Sequence, residues 1–219
     1  MKLYSGPLSL FARKVEIALR EKGLDFDRVM VPFTQAEGYF PKHPDVLRAN
    51  PKGQVPVLVD GELTLFDSTL INEYLDDAYP EPPILPRSPA LRARCRLLEL
   101  TADEVMLPLV VRLMYRTEPP DPDPAIQHAR ELDGTRAEAE IGEFYKMLEE
   151  SLTGQKHFCG TFSVADIGVL MTLVFAKRLD APGFGDNNEL SAWFERVAGR
   201  ASVEPVLKEI EKADRALAI

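Results

Sequence analysis

Cysteine is nearly absent from this sequence, which has two cysteines among its 219 residues. Cys95 and Cys159 lie far apart and form no CxxC pair, so we expect neither a disulfide framework nor a metal site, and we expect a reduced, cytoplasmic setting. Long apolar runs are also missing, because no stretch approaches the roughly 18 residues of a membrane span. The first residues, Met1–Tyr4, lead directly into strand-like sequence without an apolar signal region.

Positive charge is scarce relative to negative charge. The chain has 26 lysines and arginines against 35 aspartates and glutamates, a net charge of −9. A nucleic-acid backbone attracts a basic face, so we expect no nucleic-acid partner. A basic protein partner is compatible with the negative net charge. The hydrophobic share of 45% and the charged share of 28% are ordinary for a globular protein. The length suggests one large domain or two small ones.

The stretch 50–68 carries the strongest local pattern. Two short apolar runs, Val55–Val59 and Leu63–Phe66, flank a turn that contains Asp60-Gly61, a dipeptide that is typical of a tight β-hairpin turn. Pro56 stands at the head of the first run, where its missing N–H is tolerated and where an X-Pro bond can be cis. Asp67-Ser68 follows the second run directly and is suited to open a helix and to grip a small zwitterion there.

The preceding residues predict a parallel strand pair joined by a helix. Lys2–Tyr4 is a first strand, helical spacing runs from Leu10 to a stop at Gly23, and Phe26–Val31 is a second strand. The proline-punctuated segment 33–50 predicts a loop with at most a short helix. With the hairpin and a helix over Ser68–Tyr79, the first part of the chain is a βαβ–ββα unit.

After residue 79 the composition changes. Five prolines between Pro80 and Pro89 predict a linker, and helical spacing continues to the end. We therefore predict three segments: a domain at 1–79, a linker at 80–89 and an all-helical domain at 90–219. The predicted helices lie at 90–116, kinked by Pro108, then at 125–152, 164–178, 190–198 and from 203 onward.

One helix start in the second half has a complete signature. Ser163 and Asp166 form a variant capping box, and Phe162 and Ile167 can form a hydrophobic staple across it. This pattern predicts a structural cap rather than a functional site.

The 50–68 stretch resembles the glutathione transferase family. In that family a Val-Pro is followed eleven residues later by an acid–Ser pair, the spacing from Pro56 to Asp67. The capped helix at Ser163 matches the family's helical domain. The resemblance implies the glutathione transferase fold: an α/β thioredoxin-like N-terminal domain followed by an all-α helical C-terminal domain. It also implies a cytoplasmic, homodimeric enzyme that takes glutathione as co-substrate, without a metal, for attack on a small hydrophobic electrophile.

Such an enzyme must hold the glutathione thiol as a thiolate. A free thiol has a pKa of about 8.5, and lowering it by about two units takes roughly 2.7 kcal/mol, which one hydroxyl donor can supply. Ser9 precedes Leu10–Val15 in a pattern similar to that of the serine-type transferases, and it is the preferred donor. Tyr4, at the end of the first strand, matches the tyrosine of other classes, and Ser5 is a third candidate.

The resemblance also assigns the peptide-binding positions. Val55 would pair through its backbone with the cysteinyl part, Gln54 would add a side-chain contact, and Asp67 and Ser68 would take the γ-glutamyl amine and carboxylate. The glycyl carboxylate needs a cation, for which Lys42 is the first candidate and His43 and Arg48 are alternatives. The electrophile pocket has five plausible lining residues, which are Leu8, Phe11, Met106, Arg112 and Tyr115.

A second interpretation of the sequence is that the protein is a binding module and not an enzyme. The segments 3–7, 61–65 and 73–86 resemble stringent starvation protein A, a relative that has the transferase fold but acts by binding RNA polymerase. In that reading the Pro-Glu-Pro-Pro region at 80–83 would belong to a partner surface. A hydroxyl at Ser9 followed by Arg13-Lys14 favours the enzyme, because a docking protein has no need of it.

Overall fold

The computed structural model describes residues 1–34 and 37–217. The chain divides into two compact units, one of residues 1–85 together with the segment from Ala198 onward, and one of Pro86–Val197. The first unit contains a four-stranded sheet with helices, and the second unit is helical. This confirms the predicted thioredoxin-like domain and helical domain as the fold class.

The sheet of the first unit has the strand order β2-β1-β3-β4. Its strands are β1 (Lys2–Ser5), β2 (Asp27–Met30), β3 (Val57–Asp60) and β4 (Leu63–Phe66). β1 pairs with β2 in parallel, as the strand–helix–strand order predicts, and the other two pairs are antiparallel. The helices of this unit are α1 (Leu10–Glu21), α2 (Pro44–Ala49), α3 (Ser68–Ala78) and α9 (Glu204–Leu217).

The β3–β4 hairpin forms one residue further along than the dipeptide signal implied. Asp60 still pairs with Leu63, so the two central turn residues are Gly61 and Glu62. Gly61 has a φ of +59°, and Glu62 is not among the residues with positive φ. A hairpin turn with positive φ at its first central position favours glycine there, which explains why the register settles on Gly61.

The second unit contains α4 (Pro89–Thr101), α5 (Leu107–Val111), α6 (Pro124–Leu152), α7 (Val164–Arg178) and α8 (Asn188–Ala198). The single helix predicted over 90–116 is interrupted by a π-helical turn at Ala102–Met106. Pro108 follows that turn and has no N–H for the carbonyl four residues earlier, so the hydrogen-bond ladder changes its register there. The described part of the chain has no helix long and apolar enough to cross a membrane.

The cap of α7 is buried, and its Asp166 carboxylate makes four polar contacts. Asp166 Oδ2 accepts from the Ser163 N–H at 3.0 Å and from the Ser163 hydroxyl at 3.1 Å. The Ser163 side chain in turn accepts from the Asp166 N–H, which completes the predicted capping box. Asp166 Oδ1 accepts from Trp193 Nε1 at 2.8 Å and lies 3.2 Å from His157 Nδ1. One carboxylate therefore joins the start of α7 to α8, a role that the local capping pattern did not reveal.

A partly buried ionic network attaches α9 to the first unit. Arg13 on α1 and Arg28 on β2 both donate to Glu16, at 2.8 Å each, and to Glu209, at 2.9 and 2.6 Å. The Ser5 hydroxyl also donates to Glu16. The predicted boundaries place the last helix in the helical domain. These contacts explain why it instead clusters with the first unit.

Glu209→Gln should destabilise the protein by about 1–2 kcal/mol at neutral pH, because two arginines then share one carboxylate. Burial raises the pKa of Glu209, but hydrogen bonds from Arg28 and Arg13 outweigh it and lower the pKa overall. A carboxylate with a lowered pKa stabilises the fold above its ordinary pKa of 4.5, and this contribution is lost as the pH falls through the lowered value. Urea unfolding should therefore separate wild type from variant at neutral pH and bring them together in acid.

Glu211→Gln is the matched control, because Glu211 is an exposed acid on the same helix that pairs with Arg215 one turn away. Exposed pairs of this kind contribute a few tenths of a kcal/mol. Equal losses in both variants at neutral pH would remove the special role of Glu209.

Candidate functional site

Three segments of the predicted site meet at one edge of the sheet. Tyr4 lies opposite Val57 in the β1–β3 pair, and Val57 lies opposite Phe66 in the β3–β4 pair. The end of β1, the start of β3 and the end of β4 are therefore neighbours. The turn that leads to Ser9, the Val55-Pro56 loop and the Asp67-Ser68 pair extend from this same edge.

Ser9 occupies the N-cap of α1. Its Oγ accepts a hydrogen bond from the Ala12 N–H at 3.2 Å, and its own N–H donates to the Gly6 carbonyl at 3.2 Å. The side chain is half-buried rather than directed into the core. Because Oγ accepts in this cap, its proton stays available to donate to an anion placed at the positive end of the helix.

Tyr4 is in a different situation. Its side chain is 5% exposed, and its hydroxyl donates to Asp45 Oδ2 at 2.5 Å. The hydrogen bond to Asp45 is the main cause that raises the pKa of Tyr4, and burial adds to it. The Tyr4 proton is thus already committed to a carboxylate. Ser5, the third candidate, is fully buried and donates to Glu16.

The side chain of Asn50 holds the loop that leads to Val55-Pro56 by hydrogen bonds to its backbone. The Val55–Pro56 peptide bond is cis, and the paired residues of β3 begin at Val57, so Val55 lies outside the ladder. Gln54 is exposed, and its carbonyl accepts from Asn50 Nδ2 at 2.7 Å. Asn50 is buried and also accepts from the Lys52 N–H at 2.9 Å. Sequence reasoning missed this residue, whose only signal is its place before the Pro-Lys-Gly turn.

Asp67 and Ser68 open α3. Asp67 is its N-cap and accepts from the N–H groups of Thr69 and Leu70 at 3.0 and 3.3 Å. Its φ of +78° is in a region that residues other than glycine rarely adopt. The Asp67 side chain is exposed, whereas Ser68 is buried. Such backbone outliers cluster at ligand sites, since the surrounding structure must hold them in place.

Of the three candidate cations, Lys42 lies beside the loop. Its Cδ would be 3.9 Å from a Cβ built on Gly53, so the side chain passes over the residue before Gln54. Arg48 is ion-paired with Asp45, and the His43 ring packs on Tyr4 at 5.1 Å between centroids. Among the described residues no hydrogen bond or ion pair occupies the Lys42 ammonium group.

Three candidate residues for the electrophile pocket, Met106, Arg112 and Tyr115, belong to the helical unit. They are buried in that unit or contact other residues of it. Arg112 donates to both carboxylate oxygens of Asp133, at 2.9 and 2.6 Å, and these hydrogen bonds raise the pKa of the guanidinium. Met106 is buried, and the Tyr115 ring packs against Gly134. The described residues include no cluster of histidine, cysteine or carboxylate side chains suited to a metal ion.

These units define a class: a thioredoxin-like unit with a cis-proline loop and a capped acid–Ser helix, followed by a helical unit. Residues 3–83 match the family model of the glutathione S-transferase N-terminal domain, and residues 105–201 match that of the C-terminal domain. The chain is 32% identical over 221 residues to Glutathione S-transferase 3 of Zea mays, covering 96% of this chain and 94% of that protein. The chain therefore belongs to the glutathione S-transferase family.

The chain is also similar to several Stringent starvation protein A homologs and to a solved transferase structure. A Stringent starvation protein A homolog of Coxiella burnetii is 45% identical over 98 residues, 45% of this chain and 44% of that protein. The chain spans about half the length of this relative and of the Pasteurella multocida homolog. The Haemophilus influenzae homolog matches over 92% of this chain and 87% of its own length, at 36% identity. The structure of a glutathione S-transferase from Rhodospirillum rubrum F11 superposes with a TM-score of 0.78 at 29% identity, covering 94% and 90% of the two chains.

Proposed function

We propose that this protein is a glutathione transferase that binds glutathione along the Val55 edge and activates its thiol at Ser9. The convergence of Ser9, Val55 and Asp67 at one edge of the sheet carries the proposal. A thioredoxin-like domain at 1–79, a linker at 80–89 and a helical domain that begins at residue 90 belong to the same proposal, as do homodimeric assembly and a cytoplasmic setting.

Each part of the tripeptide finds a complementary group. The Val55 backbone lies outside the ladder and can pair with the cysteinyl residue as an added strand. Asp67 is exposed beside a helix N-terminus, so its carboxylate suits an ammonium group and the helix end suits the neighbouring carboxylate. Gln54 is exposed next to them. The Lys42 ammonium group suits the glycyl carboxylate.

The chemistry then requires one proton to be lost and one bond to be exchanged. The thiol gives its proton to solvent, and the Ser9 hydroxyl donates to the thiolate that remains. This thiolate attacks the electrophilic carbon, the C–S bond forms, and the leaving group departs with its electron pair. Ser9 is the better donor than Tyr4, because the Tyr4 hydroxyl already donates to Asp45.

Titration of the wild-type protein with glutathione should produce thiolate absorbance in the ultraviolet at neutral pH.

Asp67→Asn should weaken glutathione binding about ten- to a hundredfold, because it removes one charge-assisted contact. Asparagine can keep the helix cap and is the more tolerant residue at positive φ. Calorimetry gives the affinity, and the thiol pKa in the saturated complex should stay as in wild type.

The control is Asp77→Asn, an exposed acid near the other end of the same helix, which should bind glutathione as wild type does. Unaltered affinity in Asp67→Asn would remove the assignment of Asp67.

A second candidate function is a module that binds RNA polymerase. The observation that favours it is the 36% identity to the Haemophilus influenzae Stringent starvation protein A homolog over most of both chains. The same titration separates the two functions. Absence of both glutathione binding and thiolate absorbance would favour the docking function, and thiolate formation would favour the enzyme.

A further inference from the structure

The turn that leads to Ser9 is held by a residue far away in sequence. The Leu8 N–H donates to the Tyr39 hydroxyl at 3.1 Å. On its other side the turn is closed by the bond from the Ser9 N–H to the Gly6 carbonyl. The position of the Ser9 Oγ is thus set by a short segment whose middle is tied to Tyr39.

The contact between the turn and Tyr39 is also steric. A Cβ built on Gly6 would lie 2.4 Å from Tyr39 Cε1 and 2.6 Å from its hydroxyl oxygen, closer than carbon atoms can approach. Glycine at position 6 therefore lets the ring lie directly on the backbone of the turn. The hydrogen bond and the packing act on two different residues of the same turn.

Tyr39 is itself well supported. Its ring packs on Phe33 with 4.7 Å between centroids, and it packs against the core cluster that includes Tyr4 and Val57. Thr34 and Gly38 exchange two backbone hydrogen bonds of 2.9 and 2.8 Å immediately before it. A supported side chain can transmit a fixed position to the turn, as a mobile one could not.

We propose that Tyr39 is a positioning residue for the Ser9 hydroxyl, an inference that rests on the proposed function. The proposed role involves no contact between Tyr39 and the thiol. It fixes the Gly6–Ser9 turn so that the Ser9 hydroxyl faces the place where the thiolate forms. Loss of its hydroxyl should therefore act on thiol activation and leave the binding of the rest of glutathione intact.

Tyr39→Phe keeps the ring and removes the acceptor of the Leu8 N–H. We expect kcat with chlorodinitrobenzene to fall about three- to tenfold, the effect of one hydrogen bond. The pKa of the bound thiol should rise by about half a unit to one unit, while the KM for glutathione changes less than about twofold. Amide exchange at Leu8 and Ser9 should accelerate, and this readout does not depend on catalysis.

Tyr74→Phe is the matched control, since it removes a tyrosine hydroxyl that donates to Asp60 at the hairpin turn and should leave kcat and the thiol pKa unchanged. Ser9→Ala completes a double-mutant cycle, in which Tyr39→Phe should cause no further loss once Ser9 is alanine. Multiplicative losses, or an unchanged thiol pKa in Tyr39→Phe, would overturn the positioning role. Full activity of Ser9→Ala alone would instead overturn the proposed function at Ser9.

Discussion

Ser9→Ala should lower the rate of glutathione conjugation about 10- to 150-fold while the affinity for glutathione is retained. A hydroxyl that donates to a charged acceptor contributes about 1.5–3 kcal/mol, and each 1.4 kcal/mol changes a rate tenfold. Alanine removes this donor and leaves the peptide-binding groups of Val55 and Asp67 in place. The measurements are kcat with chlorodinitrobenzene, the pKa of the bound thiol by ultraviolet absorbance, and affinity by calorimetry.

The substitution also removes the N-cap of α1, which costs about 1 kcal/mol of stability. Ser9→Thr separates the two effects, because threonine can cap the helix and still offers a hydroxyl, so this variant should keep most of the activity. A rate in Ser9→Ala equal to that of wild type would exclude Ser9 as the thiolate donor. The next variant would then be Tyr4→Phe.

Asp166→Ala should destabilise the protein by about 3–5 kcal/mol. Its carboxylate accepts from the Ser163 N–H and from Trp193 Nε1, and both donors are buried. An unsatisfied buried donor costs about 1–3 kcal/mol, and the loss of the acid adds to this. For a chain of this length each kcal/mol lowers the melting temperature by about 2–4 °C, so we expect a decrease of roughly 6–20 °C.

The effect has a convenient reporter, because Trp193 is the only tryptophan in the sequence and is fully buried. Its fluorescence should change in the folded variant as well as on unfolding. Asp123→Ala is the control: Asp123 is an exposed N-cap in the same unit that accepts from the Ala125 N–H, and its loss should cost about 1 kcal/mol. A similar small loss for Asp166→Ala would mean that the bond to Trp193 contributes nothing measurable.

The elements of the first unit were predictable because their signals are local. The Asp60-Gly61 dipeptide, the stop at Gly23 and the Asp67-Ser68 helix start each act within a few residues. The spacing from Pro56 to Asp67 also follows from one hairpin, so the two ends of that hairpin meet at one edge.

Other parts of the candidate site were beyond sequence reasoning. The contact between Leu8 and Tyr39 joins residues 31 positions apart, and the segment between Val31 and Pro44 has no helical or strand period that would place Tyr39. The competition for the Tyr4 hydroxyl was invisible for the same reason, since Asp45 lies 41 positions away. Local patterns predict elements, whereas long-range hydrogen bonds depend on how those elements pack.

The attachment of α9 to Arg13 and Arg28 gives the first unit two separate pieces of chain, with all of the second unit between them. On the ribosome, residues 1–85 therefore emerge with two arginines whose second carboxylate partner has not been made. At about 5–20 residues per second, roughly 6–25 s pass before that partner is translated. During this interval the nascent unit is exposed to chaperones and proteases, and a premature stop after the helical unit would leave the first unit, not the second, incomplete.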